Sequence, residues 1–190
     1  MSVSPIDRTR YGALAQAFHW LTVILVLAAY IYGPGGSEER VYSAAGDFDR
    51  QLHETFGISV FTLATLRILW RMVDTHPDPP QVARWMGLAA KAVQWGLYAL
   101  LFALPLTAIT GAWLERHPLT LLGGVKVEPI LALSHDLGAK IATIHTWLGD
   151  AILGLAGLHA LASLYHHFVL KDSVLMSMLP ARVAAALRPR

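Results

Sequence analysis

The sequence contains no cysteine. That excludes structural disulfides, Cys-ligated zinc, iron–sulfur clusters and covalent haem attachment through CxxCH, and it leaves histidine as the ligand for any soft metal. Charge is also scarce, at 15% of 190 residues against ~25% in an average soluble domain. No Gly-rich phosphate loop and no convincing Ser–His–Asp set is visible. Neither an internal repeat nor a low-complexity tract interrupts the chain, which reads as one domain over 1–190. What is abundant is apolar surface: 55% of residues are hydrophobic and the mean hydropathy is +0.47. One core cannot hide that much apolar surface in so short a chain. The excess falls into blocks separated by charged or Pro/Gly-rich stretches, the arrangement of a multi-span membrane protein rather than of a soluble enzyme or a disordered chain.

Four spans are expected, at about 14–32, 53–73, 92–114 and 141–170. The first carries no formal charge and is long enough at ~1.5 Å per residue to cross a hydrocarbon core of ~30 Å. It is too long and too late for a signal-peptide h-region, and the glycines and proline at 33–36 read as a turn rather than a cleavage site. The second is uncharged from Thr55 to Leu66 and then carries Arg67 and Arg71, whose stems can snorkel to headgroups. Pro105 falls inside the third, where a membrane helix is kinked more often than ended. Ten Lys and Arg lie on one side of this topology and five on the other, so the positive-inside rule places both termini in the cytoplasm. The expected fold is therefore all-α, an integral-membrane four-helix up-and-down bundle. The net charge of +2 and pI near 9.0 become a topology signal and not a sign of nucleic-acid binding. The second outer loop, 115–140, is apolar enough to lie on the membrane surface or cap the bundle.

Nine histidines are present, several inside the spans, where an ionisable group is a functional hypothesis by default. Depth sorts four of them. His53 opens span two and His145 lies just inside span four, both toward the outer side; His19 and His159 lie toward the cytoplasmic side. His145 and His159 are fourteen residues apart, which leaves an angular offset of about 40° and an axial rise of roughly 21 Å. Two histidines on one helix face, each matched in depth by one on another helix, suit bis-His ligation of two stacked b-type haems. Both outer candidates read HxxxG, ending at Gly57 and Gly149. A glycine one turn from a ligand clears space for a flat ring, although small residues also serve close helix packing. His135 rivals His145 for the outer site. His166, close to the cytoplasmic surface, reads either as an interfacial residue or as a hydrogen-bond partner for a haem propionate or a quinone carbonyl. His76 and His117 read as loop residues. Met72, Met86, Met176 and Met178 lie at or beyond the boundary, which makes them poor axial ligands, and the only deep acid is Asp150.

The chain resembles the bacterial cytochrome b561 family over nearly its whole length. The resemblance rests on Tyr11 and the His19–Trp20 pair, LHETFG at 52–57, LRILWR at 66–71, LPLTAITG at 104–111, HTWLGDAILGLAGLHALASLYHHF at 145–168 and KDSVLMSMLP at 171–180. It implies four inner-membrane helices holding two non-covalent haem b groups on His19, His53, His145 and His159. It also implies electron transfer across the membrane, commonly with ubiquinone as partner and in one branch with superoxide as the outer donor. The loop before His145, with Lys140 and His135, cannot be aligned to the family pattern.

The expected activity is that of a quinone-linked oxidoreductase. An outer-side donor feeds the haem between His53 and His145, and the electron leaves through the haem between His19 and His159 to quinone. Arg67 and Arg71 would anchor the inner boundary or pair with haem propionates. Arg116, Lys126 and Lys140 could steer an anionic donor. An electron-relay or anchor subunit of a larger dehydrogenase is the alternative, followed by a proton or metal transporter using the histidines.

Overall fold

In a computed structural model, the described residues are 10–35, 38–74, 82–131 and 134–186. His76, Arg8, Arg188 and Arg190 lie outside them. Four long helices carry the architecture: α1 (Ala13–Ile31), α3 (Asp47–Arg71), α4 (Arg84–Leu114) and α5 (His135–Tyr165). A single-turn α2 (Glu38–Val41) stands between α1 and α3, and a two-residue hairpin, β1 (Leu119–Thr120) with β2 (Lys126–Val127), stands between α4 and α5. A π-helical turn, His166–Leu170, follows α5 and leads to the short α6 (Val174–Met178) and α7 (Ala181–Ala186).

Three of the segments, Ala13–Ile31, Arg84–Leu114 and His135–Leu170, are long and apolar enough to cross a membrane. The second expected span, inside α3, falls short of that apolarity because Asp47, Asp49, Arg50 and Glu54 crowd its first turns and Arg67 and Arg71 its last. Helix boundaries also outrun the expected spans. α3 starts at Asp47 rather than near His53, α4 at Arg84 rather than Ala92, and α5 at His135 rather than Ile141. Hydropathy locates the apolar slab, whereas backbone hydrogen bonding continues into charged turns beyond it. At α5 the start is fixed by the Ser134 side chain, which accepts from the Leu137 N–H. Pro105 sits within α4 without ending it.

The helices associate as two pairs, α1 with α3 and α4 with α5, joined along α3 and α4. Gly111 and Gly138 make the α4–α5 contact close: a Cβ at Gly138 would lie 2.9 Å from the Gly111 carbonyl oxygen. Where α3 meets α4 and α5, Val60, Ala64, Tyr98, Leu101 and Ile152 form the buried centre. Large apolar side chains elsewhere on the long helices, such as Ile24, Leu69, Leu106 and Leu161, stay exposed, as a lipid-facing surface requires. The first and last described segments meet at one end of the molecule. Arg10 donates to the Leu179 carbonyl, Gln16 Nε2 to that of Ser177 at 3.1 Å and Trp20 Nε1 to that of Met178 at 2.8 Å. At the other end the hairpin caps α3. The Thr120 N–H donates to the Glu54 carboxylate, and the Leu122 N–H to Thr55 Oγ1 at 2.9 Å. The apolar loop thus takes the capping role, of the two expected for it.

Candidate functional site

The four depth-sorted histidines come together as two pairs at opposite ends of the slot between the helix pairs. His53 of α3 faces His145 of α5 with ring centroids 5.9 Å apart and planes at 89°. His19 of α1 faces His159 of α5 at 6.4 Å and 74°. On α5, Ile152 of the central apolar cluster lies midway in sequence between His145 and His159.

Local structure sets the ring chemistry of the outer pair. His53 Nδ1 lies 2.7 Å from the Ala29 carbonyl oxygen of α1, and His145 Nδ1 lies 2.9 Å from that of Leu104, the residue before Pro105 in α4. A carbonyl oxygen only accepts, so both Nδ1 atoms carry the hydrogen and both Nε2 atoms keep a free lone pair. Thr107 Oγ1, itself turned back onto the Ala103 carbonyl, stands 3.3 Å from His145 Nδ1. This is the arrangement in which a backbone acceptor fixes the tautomer and orientation of a metal-binding imidazole. In the inner layer His19 packs edge-on against Trp20, the side chain that anchors the C-terminal segment. Arg67 places its guanidinium 5.7 Å from the Tyr98 ring. Arg71, by contrast, is exposed at the end of α3.

A cleft opens at the outer pair, lined by both imidazoles and by apolar side chains including Val26, Leu101, Ile109 and Ile152. Gly57 and Gly149 both line it, and a Cβ on either would meet nothing within 4 Å. Close helix packing, one of the two readings of these glycines, therefore belongs to Gly111 and Gly138 instead. The donor set and spacing suit a flat tetrapyrrole. With metal–imidazole bonds of about 2.0–2.1 Å and about 1.2 Å from nitrogen to ring centre, two axial imidazoles have centroids about 6.4 Å apart, close to both observed separations.

Other candidates are placed elsewhere. His135 begins α5, and its Nε2 lies 3.0 Å from Glu38 Oε2 rather than facing His53. His166 Nδ1 is paired with Asp172 at 2.5 Å, which leaves Nε2 as its outward atom. Asp150 accepts from the Tyr30 hydroxyl at 3.1 Å and ties α5 to α1. Arg116, Lys126 and Lys140 are all exposed. Two features escaped sequence reasoning: the carbonyl acceptors behind the outer histidines, and the grouping of His117 with Glu38 and Glu115. HxxxG was the only sequence signal near the first. The second joins residues far apart in the chain and left no local signal.

The family model for prokaryotic cytochrome b561 matches residues 10–181. The chain is 32% identical over 174 residues to cytochrome b561 homolog 2 of Escherichia coli (strain K12), covering 90% of this chain and 91% of that protein. It is 30% identical over 178 residues to the probable superoxide oxidase CybB of Yersinia pestis, covering 91% and 97%. Similarity at 30% over 178 residues extends to cytochrome b562 of Cereibacter sphaeroides, covering 90% and 96%.

Proposed function

The chain belongs to the prokaryotic cytochrome b561 family, membrane cytochromes of electron transport that bind haem b, and from that premise we propose a four-helix cytochrome of the bacterial inner membrane with two haem b groups. It carries electrons between a donor on the outer side and membrane quinone. The observation that carries this reading is the pair of facing imidazoles in each of two layers, His53 with His145 and His19 with His159. The positive-inside count supports cytoplasmic termini, and the meeting of the first and last described segments beside His19 agrees with one shared side for both.

Haem, when bound, supplies the one-electron chemistry, and the protein supplies position, potential and exclusion of water. Each axial imidazole would bind through Nε2. At the outer site the carbonyls of Ala29 and Leu104 hold the rings in register, and Gly57 and Gly149 leave the macrocycle its space. The apolar wall of the cleft keeps water out. At the inner site Arg67 places a positive charge beside His19 and His159, where it favours the reduced state and can pair with a propionate. Arg71 is an interfacial anchor, and His166 Nε2 offers a hydrogen bond to a propionate or quinone carbonyl at the same boundary. The name of the Yersinia pestis relative supports superoxide as the donor, and exposed Arg116, Lys126 and Lys140 would steer an anion.

The test is reoxidation of the detergent-purified, reduced protein by a soluble ubiquinone analogue, followed at the haem bands. Rapid reoxidation is expected. A reduced cytochrome inert to quinone would contradict the proposal and favour a relay subunit.

A further inference from the structure

Four side chains from three segments converge at the outer-loop end, away from the paired histidines. Glu38 of α2 sets Oε1 2.7 Å from His117 Nε2 and Oε2 3.0 Å from His135 Nε2. Glu115, the C-cap of α4, joins them: one ligand atom each from Glu38, Glu115 and His117 lies within 4.8 Å of the others. Hydrogen bonding accounts for Glu38 but not for Glu115. Among the described residues Glu115 has neither a hydrogen-bond partner for its carboxylate nor an ion pair. Glu38 is held by the two imidazoles, whereas Glu115 beside it has no Lys or Arg paired to it among the described residues, so a cation would complete the arrangement.

The donor set says which cation. An imidazole nitrogen with two carboxylates suits borderline divalent transition ions, whereas Mg²⁺ and Ca²⁺ take oxygen throughout. With metal–ligand bonds of about 2.0–2.1 Å, neighbouring ligand atoms lie about 2.9 Å apart in an octahedron and about 3.3 Å apart in a tetrahedron. The His117–Glu38 nitrogen–oxygen distance of 2.7 Å falls near the octahedral edge. The site is also braced from behind. Tyr42 stacks on the His117 ring at 3.5 Å and 17°, and the His117 N–H donates to the Ala112 carbonyl at 2.8 Å. Arg116 adopts φ 66°, a left-handed conformation that turns Glu115 and His117 toward the same point.

We propose that Glu38, Glu115 and His117, with His135 bonded to Glu38 beside them, form a binding site for a divalent transition-metal ion of the zinc type, which clips the first outer loop to the second. The site does not depend on the haem assignment, because none of its ligands is an axial candidate.

Full-length, haem-loaded protein without an affinity tag, stripped with chelator, is titrated with Zn²⁺ alone by calorimetry. About one ion per chain is expected, with affinity reduced at least about tenfold in His117→Ala and in Glu38→Gln, while the haem bands stay unchanged. The absence of saturable Zn²⁺ binding, or undiminished affinity in both variants, would overturn the proposal. Should a variant fold poorly, Cu²⁺ bound to the wild type gives a second reading by electron paramagnetic resonance. Nitrogen hyperfine coupling from imidazole is expected, and a signal with oxygen coordination alone would sink the idea. Haem spectra are read separately, so failure of the metal site leaves the cytochrome assignment standing, and the converse holds too.

Discussion

His53 and His145 face each other at 5.9 Å across the outer cleft while each hands its Nδ1 hydrogen to a backbone carbonyl of a neighbouring helix. α1 and α4 thereby orient imidazoles carried by α3 and α5. Replacing His145 with Ala is expected to lower haem content from about two to about one per chain, with the remaining haem keeping its spectrum. His135→Ala should retain both, because His135 bonds to Glu38 and not to the cleft. Haem extraction and absorbance on the purified variants check both outcomes.

The glycines separate cofactor clearance from helix packing. A Cβ at Gly149 meets open cleft, whereas one at Gly138 would stand 2.6 Å from Glu115 Cγ. Gly149→Leu is expected to expel the outer haem and leave helicity by circular dichroism intact. Gly138→Ala should retain haem but destabilise the fold by about 1–3 kcal/mol through overpacking, read as a lower denaturation midpoint.

Arg67 and Arg71 lie one turn apart, yet Arg67 packs its guanidinium over Tyr98 while Arg71 is exposed at the end of α3. A nearby positive charge favours the reduced haem, so Arg67→Leu should lower the inner midpoint potential by an amount on the order of tens of millivolts. Arg71→Leu should leave it unchanged. Spectroelectrochemical titration of the two variants distinguishes them.

At the start of α3, Arg50 and then Gln51 hydrogen-bond the Asp47 carboxylate and hold its pKa below the usual range. A depressed carboxylate stabilises the fold fully above its unfolded pKa of about 3.9 and loses that contribution as pH falls through the lower folded value. Asp47→Asn should therefore melt below the wild type near neutral pH, and the difference should vanish in strong acid. Thermal unfolding at several pH values between these limits measures it.

Much of this molecule was legible in its sequence. The apolar blocks located the four long helices, and the fourteen-residue interval between His145 and His159 brought both onto the slot-facing side of α5. Helix starts were less legible, because Asp47, Arg84 and His135 lie outside the apolar slab yet still satisfy helical hydrogen bonds. The Leu104 carbonyl behind His145 depends on the register of α4 against α5, which packing of Gly111 on Gly138 sets and no local pattern encodes. The Glu38–His117–His135 cluster joins residues 79 and 97 positions apart, beyond the reach of any spacing rule. The docking of Trp20 on Met178 is long-range in the same sense.

The most direct test of the account is the reduced-minus-oxidised spectrum of the purified chain, with extracted haem counted against protein and low-temperature paramagnetic resonance of the oxidised form. Two haem b per chain, both low-spin with paired imidazole ligands, is the predicted result. A single haem, or a high-spin centre lacking one imidazole, would contradict it.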